Sequence, residues 1–319
     1  MKLKQCAALF LALGVVPAST AWANYPDKPI RMVVSMPAGG PMDVIARTLT
    51  EKVSQYLGQP VVIENRGGSG GNIGAASVAN ANPDGYTYLL SLDTTFTINP
   101  HLYASMGFDL NQLTPVAMIG KNGMLLVTNA KKGISTLDAL IKASEKEPIN
   151  FSTAGNGSPG HFTAALLKQH ANVNYNHIPY RGNAPATMGV VSGEVTGAVL
   201  ATPGLLPHVN TGALTALGVT GQARSALLPN VPTMTELGYP EVDFEVKYVV
   251  FAPAGTDESR QKVIADAVGR ALNEPDVKER LKGLDTVTNF LVGQELADAL
   301  KKDRERYGAL SKAANMQVD

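Results

Sequence analysis

The chain of 319 residues is 45% hydrophobic and 17% charged, enough for two ordinary globular domains and too mixed in composition for a disordered protein. Its formal net charge is zero, with no basic tail or polybasic block, which removes the electrostatic footprint of a nucleic-acid or membrane-surface binder.

Lys2 and Lys4 precede the apolar run "CAALFLALGVV", and Ala21, Trp22 and Ala23 form an A-x-A cleavage pattern. Together they predict a secretory signal peptide over residues 1–23, cleaved to leave Asn24 first, and hence an exported protein. The run is too short and wrongly flanked for a membrane span. Loss of Lys2 and Lys4 shifts the remaining chain slightly to the acidic side of neutral. The only cysteine, Cys6, lies ahead of the apolar run, too early for lipid attachment, so the exported chain is expected to carry neither disulfide nor lipid anchor.

Beyond residue 24 the pattern alternates between strand and helix. "PIRMVV" reads as a strand and "MDVIARTLTEKVSQYL" as an amphipathic helix. "QPVVIENR" is a second strand, "GGSGGNIGAASVANANPDG" a glycine-rich turn feeding a short helix, and "YTYLLSL" a third strand. "GMLLVTN" is a strand, "STLDALIKASEKE" a helix beginning at Ser135, "INFSTA" a strand, and residues 159–169 a helix. "NHIPYRG", "GAVLA" and "LTALGVT" follow as strands, and "EVDFEVKYVVFA", residues 241–252, as a long apolar one. After "PAGT" the chain reads as helical nearly to its end, the last helix being charged along a solvated face. Such alternation argues for an α/β fold with a mostly parallel sheet.

Two strand-to-helix turns share one device. In "SMPAGGPMDVIAR" Gly40 acts as the helix cap, Pro41 suits the first helical position, and Asp43 falls in the first turn, where the helix dipole favours an acid. In "FSTAGNGSPGHFTAALL" Ser158 caps, Pro159 starts the helix and His161 lies in its first turn. Each turn offers unpaired N–H groups behind a glycine-rich approach. The dipole of one such end contributes ~0.3 to 1 kcal/mol to anion binding. Charge-assisted hydrogen bonds from its amides add about 1.5 to 3 kcal/mol each. Two ends facing across a cleft would clamp a carboxylate; taken singly, each is also simply a well-made helix start.

Five segments resemble, in order, the Bug family of extracytoplasmic solute receptors of the tripartite tricarboxylate transporter type. They are "YPDKPIRMVVSMPAGGPMDVIARTL", "VVIENRGGSGGNIGAASVANANPDGYTYLL", "FSTAGNGSPGHFTAALL", "IPYRGNAPATMGVVSGEV" and "RSALLPNVPTMTELGYPEVDFEVKYVVFAPAGT". The resemblance implies a type II periplasmic-binding-protein fold: two α/β lobes joined by two crossover strands, with a carboxylate-bearing solute between them. It also implies that the turn of Met36, Pro37, Ala38, Gly39, Gly40 and Asp43 holds the solute carboxylate together with the turn of Thr153, Ala154, Gly155, Asn156, Gly157, Ser158 and His161. Lobe 1 is then expected over residues 24–124 and 248–319 and lobe 2 over 125–247, with "GMLLVTN" and "FEVKYVVFA" as the crossover strands. A hinge of strands needs no flexible linker, and none is evident.

Other candidate contacts carry two readings each. Arg47 lies one helical turn beyond Asp43, as an intrahelical ion pair or a solute contact, and Asp43 itself is a first-turn acid or an acceptor for a solute hydroxyl or ammonium. Arg181 in "PYRG" is either a bidentate partner for a second carboxylate or a solvated arginine. Asp93, after Ser91 and before Thr94 and Thr95, stands where the family commonly has small hydroxyl residues; it either caps a turn or faces an amino group of the solute. Thr196 stands where the family usually has aspartate, which leaves the neighbouring Thr202 a less certain wall of the cleft.

Enzyme motifs fail on spacing. A nucleophile elbow needs glycine two residues before Ser158, where Asn156 stands. "GGSGGNIG" has Ile73 at the third glycine of a dinucleotide fingerprint. His101, His161, His170, His177 and His208 show no metal-ligand spacing. The expectation is a monomeric receptor, without catalysis, metal or cofactor, that closes on a small carboxylate (a dicarboxylate, an amino acid or an aromatic acid) and presents it to a membrane permease. The alternatives are a receptor serving a sensor protein and a secreted hydrolase of carboxylate esters.

Overall fold

The computed structural model describes residues 25–313 and Met316. The predicted signal peptide, with Cys6, and Asn24 lie outside the described residues.

The first half of the chain builds β1 (Ile30–Val34), α1 (Pro41–Leu57), β2 (Val61–Asn65), α2 (Asn72–Ala79), β3 (Thr87–Leu92), the short α3 (Thr94–Thr97) and α4 (Asn99–Leu102), and β4 (Leu113–Asn129). The middle adds α5 (Leu137–Lys146), β5 (Ile149–Thr153), α6 (Pro159–Ala171), β6 (Tyr175–Pro179), α7 (Asn183–Ser192), β7 (Gly197–Ala201), α8 (Thr202–Asn210) and β8 (Leu214–Val219). The chain returns through β9 (Glu245–Pro253) and continues as α9 (Glu258–Ala271), α10 (Pro275–Gly283), β10 (Val287–Val292) and α11 (Gly293–Ala313).

The sheet runs β2-β1-β3-β9-β4-β7-β5-β6, with β8 and β10 also paired to β4. β1, β2 and β3 are parallel, as are β5, β6 and β7, while β4 and β9 are antiparallel to their neighbours. The sheet is therefore mixed, with two parallel outer sections around antiparallel inner strands. β4 serves both sections. From Leu113 to Gly123 it pairs with β9, and from Met124 onward with β7 and β8. At the changeover a Cβ on Gly123 would lie 2.0 Å from the Thr220 carbonyl oxygen, so only glycine admits this approach. The Thr220 hydroxyl accepts the Met124 N–H at 2.7 Å and donates to the Phe244 carbonyl, stitching the outgoing strand to the returning one.

Four departures from the periodicity have local causes. β4 begins at Leu113, because β9 and β10 flank a stretch whose Pro115, Gly120 and Lys121 break the alternation. β10 interrupts the helical C-terminus, pairing antiparallel with β4. α5 is capped by Thr136 rather than Ser135, the Thr136 hydroxyl accepting the Ala139 N–H at 3.1 Å. The long strand predicted from residue 241 starts at Glu245, after a tight turn at Pro240–Val242. One apolar cluster reaches from Ile30, Ile45 and Leu90 through Phe151 and Leu166 to Val250 and Ile264. Within it Phe162, Phe244 and Tyr307 form an aromatic triangle with centroids 5.2, 5.3 and 5.4 Å apart, which anchors α11 against α6.

Candidate functional site

Parallel strands present their carboxyl ends, and the loops that follow them, to the same side of a sheet, where α/β proteins place their ligands. Here those loops follow β1, β2 and β3 in one section and β5, β6 and β7 in the other. The Tyr103 hydroxyl, beyond α4, lies 3.5 Å from the Asn156 carbonyl oxygen in the loop after β5, so the two sets of loops meet.

The first turn is pinned by Asp43. Its Oδ2 accepts from the Gly39 N–H at 3.0 Å and from Arg47 Nε at 3.0 Å. Its Oδ1 accepts from Asn65 Nδ2 at 3.0 Å, and that amide also reaches the Met36 carbonyl at 3.2 Å. Burial pushes the Asp43 carboxyl up, but the bonds from Arg47, Gly39 and Asn65 together outweigh it and hold the group below its ordinary value. Arg47 makes the ion pair that its spacing allows, and both Asp43 oxygens are spent on the turn's shape. Pro37, Ala38 and Gly39 are exposed, and Met36 and Gly40 half-buried. Gly40 supplies no side-chain cap, and the Met42 and Asp43 amides find no acceptor among the described residues.

The second turn satisfies more of its own amides. Ser158 caps α6 as expected, its Oγ accepting the His161 N–H at 3.3 Å. His161 Nδ1 accepts the Gly157 N–H at 3.2 Å, and Thr153 Oγ1 accepts the Gly155 N–H at 3.3 Å. The Ala154 carbonyl accepts from Gly182 at 3.2 Å. The amides of Asn156 and Gly160 remain without an acceptor among the described residues. Behind the turn the His161 and His177 rings stack, and His177 Nε2 lies 2.6 Å from Thr153 Oγ1. Burial holds His161 below its ordinary pKa. Burial, reinforced by the adjacent His161, lowers His177 to about 4. Both rings are therefore neutral at pH 7, and Nδ1 of His161 as acceptor leaves its proton on Nε2. The Ser158 hydroxyl faces the backbone amide of His161, so the pair is a helix cap and not a nucleophile–base arrangement.

The remaining predicted residues disperse. Ser91 is buried in a hydroxyl chain, bonded to Ser35 at 2.9 Å and to Thr95 at 3.0 Å; Thr95 donates to the Gly70 carbonyl at 3.1 Å. Thr94 is buried beside it in α3, and Thr202 is buried at the start of α8. Arg181 is exposed. Asp93 departs from the reading of an acid facing a solute amine: it is completely buried and already has a cation. Lys247 Nζ lies 3.7 Å from Asp93 Oδ2 and 2.7 Å from Asp303 Oδ2, and the Lys247 N–H donates to Asp93 Oδ1 at 2.8 Å. Burial pushes the Asp93 carboxyl up to about 6, against the pull of Lys247.

Asn65, Asn99 and Tyr103 were not anticipated. Asn65 ends β2, so the rule that parallel strands bear ligand loops at their carboxyl ends would have found it. Asn99, whose Nδ2 bonds the Gly70 carbonyl at 3.0 Å, and Tyr103 carry no comparable local signal. Among the described residues no helix is long and apolar enough to cross a membrane, and no three His, Cys, Asp or Glu side chains gather as a metal site.

A family model described as the tripartite tricarboxylate transporter family receptor matches residues 45–316. The chain is 37% identical over 275 residues to protein BugT of Bordetella pertussis, covering 85% of this chain and 84% of that one. Among solved structures, the periplasmic binding protein BugD is 30% identical with a TM-score of 0.84, covering 92% of this chain and all of that chain. A Rhodopseudomonas palustris protein solved with adipate is 26% identical with a TM-score of 0.86, over 92% of this chain and 99% of that one. The two sheet sections joined through β4 and β9 are thus the two lobes of a type II periplasmic-binding-protein fold. The chain belongs to the receptors of the tripartite tricarboxylate transporter family, the Bug family of solute-binding proteins.

Proposed function

We propose that this chain is a periplasmic receptor, not an enzyme, that closes its lobes around a small carboxylated solute and delivers it to a permease of the tripartite tricarboxylate type. The observation that carries this reading is the meeting of the carboxyl-end loops of the two parallel sections at Tyr103 and Asn156. It brings the loop after β5 up to the section that bears the loop after β1. In this reading lobe 1 comprises residues 24–124 and 248–319, lobe 2 comprises 125–247, and residues 1–23 are the export signal. The Met42 and Asp43 amides at the head of α1, and those of Asn156 and Gly160 at the head of α6, are the donors offered to the carboxylate. Met36, Pro37, Ala38, Gly39 and Gly40 shape the first approach, with Thr153, Gly155, Gly157 and Ser158 shaping the second. Support for the solute class comes from the relative solved with adipate. With Asp93 neutralised by Lys247, the cleft gains no special preference for an amine from that acid.

The test is thermal unfolding of the exported chain against succinate, malate, adipate, glutamate, nicotinate and terephthalate. A ligand at about 100 times its Kd adds roughly 2.7 kcal/mol of stability. A clear rise with one of these acids, lost when Gly40 and Gly157 are both replaced by valine, supports the receptor. Turnover of carboxylate esters that disappears in Ser158→Ala would overturn it.

A further inference from the structure

The loop that follows β5 touches the opposite lobe through one aromatic side chain. A Cβ built on Gly157 would lie 2.9 Å from the Tyr103 hydroxyl and 3.1 Å from its Cε2; one built on Gly70 would lie 2.9 Å from the same hydroxyl. Both glycines have positive φ, +69° and +61°, so their conformations as well as the space they leave favour glycine. The tip of the Tyr103 ring thus sits in a notch whose walls are Gly70 in the loop after β2 and Gly157 in the loop after β5.

On the lobe 1 side the notch is rigidly built. The Gly70 carbonyl accepts from Thr95 Oγ1 at 3.1 Å and from Asn99 Nδ2 at 3.0 Å, and the Tyr103 N–H donates to the Asn99 carbonyl at 3.0 Å. Thr95 is bonded through Ser91 to Ser35, the last residue before the first candidate turn. Gly67, in the same loop as Gly70, abuts Pro37 of that turn: a Cβ there would be 2.8 Å from Pro37 Cδ. Continuous contact therefore leads from Pro37 and Ser35 through Gly70 and Tyr103 to Gly157 and Asn156. Gly157 in turn donates to His161 Nδ1 at 3.2 Å, inside the second turn.

We propose that Tyr103 is the positioning residue of the closed cleft, its ring locking into the Gly70–Gly157 notch so that closure sets the second turn against the first. The inference rests on the two-lobed receptor reading and adds to it which side chain registers the lobes. The hydroxyl oxygen is the atom of closest approach to both glycines, and the ring edge adds a second contact, through Cε2, at Gly157. The hydroxyl also lies 3.5 Å from the Asn156 carbonyl oxygen, at the long limit of a hydrogen bond.

Interlobe distance measured by spin labels tests this without any solute. Glu51 on α1 and Lys168 on α6 are exposed, and the chain from residue 25 onward has no cysteine of its own, so Glu51→Cys with Lys168→Cys places one label on each lobe. The expected result is a compact distance population in the parent that falls by at least half in Tyr103→Ala and by less in Tyr103→Phe, which keeps the ring edge against Gly157 but loses the hydroxyl, with thermal midpoints alike. If Tyr103→Ala fails to fold, Tyr103→Leu keeps the packing but shortens the side chain, and the same loss is expected. A parent without the compact population, or an alanine or leucine variant whose distances superimpose on it, overturns the proposal. Adding the acid panel separates this from the receptor reading: acids that change no distance in the parent count against the receptor, while the solute-free comparison still decides the role of Tyr103.

Discussion

His161 and His177 stack face to face, their ring centroids 3.9 Å apart and their planes 7° from parallel. His161 lies in the first turn of α6, the helix that follows the second turn, and His177 lies in β6 beneath it. The stack holds the turn through two bonds at its edges, Gly157 N–H to His161 and Thr153 to His177. Such contacts suit neutral rings, and burial keeps both below their ordinary pKa.

A pH dependence of stability follows. The unfolded chain binds a proton on His177 near pH 6.5, whereas the folded chain takes it only near pH 4, so stability is full above that window and falls as the pH drops through it. Allowing for solvent screening of a half-buried ring, the loss is on the order of 1–2 kcal/mol. His161 acts in the same direction. Asp93, pushed up to about 6, acts oppositely, since its protonation relieves a burial penalty as the pH falls. Urea unfolding at pH 7.5, 5.5 and 4.5 should therefore show a smaller acid loss in His177→Gln than in the parent, with Asp93 common to both. Parallel profiles would refute the assignment.

The Asp43 side chain organises the first turn. Asp43→Ala strands the Gly39 N–H, Arg47 and Asn65, and should cost about 1–3 kcal/mol. Any acid found in the thermal panel should then bind at least tenfold more weakly, because the turn loses its shape. Asp43→Asn, which can still accept, should fall between alanine and the parent in both measurements. An alanine variant with parental stability would show that the turn holds without its pin.

The buried cluster of Asp93, Lys247 and Asp303 ties the end of β3 and the return strand β9 to α11. Lys247→Met leaves two carboxylates without their cation and should destabilise by about 3–5 kcal/mol, read from the denaturant midpoint at pH 7. Replacing Asp93 by asparagine in the same chain should recover part of that loss, since a neutral amide costs less to bury. Equal losses in the single and double variants would mean that Asp93 and Lys247 are not coupled.

Gly123 and Gly283 make a matched pair. Gly123→Ala drives a Cβ to 2.0 Å from the Thr220 carbonyl at the point where β4 changes sections, and should cost about 1–3 kcal/mol. Gly283→Ala, at the end of α10 with open space around its Cβ, should be neutral or stabilising by up to about 1 kcal/mol. Calorimetric midpoints that move together would contradict the steric argument.

Much of this molecule was legible before any coordinates. The Gly40-Pro41 and Ser158-Pro159 helix starts and the strands β1, β2, β3, β5 and β7 rest on signals a few residues long, and the family on five longer segments in order. Capping, proline at the first helical position and apolar periodicity act within one or two turns of chain. The stretch from Thr94 to Tyr103 resisted such reading, because helices of four residues leave no periodicity to detect. β10 was hidden because its alternation is weak and its outward residues Val287 and Val292 are apolar, so charge does not mark its solvent face.

Roles that depend on through-space pairing had no local signature. Asp93 is joined to a cation 154 residues away, and Tyr103 reaches an acceptor 53 residues away. A strand-end acid has the same sequence neighbours whether it meets a solute ammonium or Lys247, and burial with a specific partner is what separates the two. Likewise a histidine in a helix's first turn carries no mark of the ring stacked upon it. Elements and caps arise from backbone chemistry that each residue shares with its neighbours. Charge pairing, ring stacking and the registration of the lobes arise only when the sheet brings β3 beside β9 and β5 beside β6, and so belong to the fold as a whole.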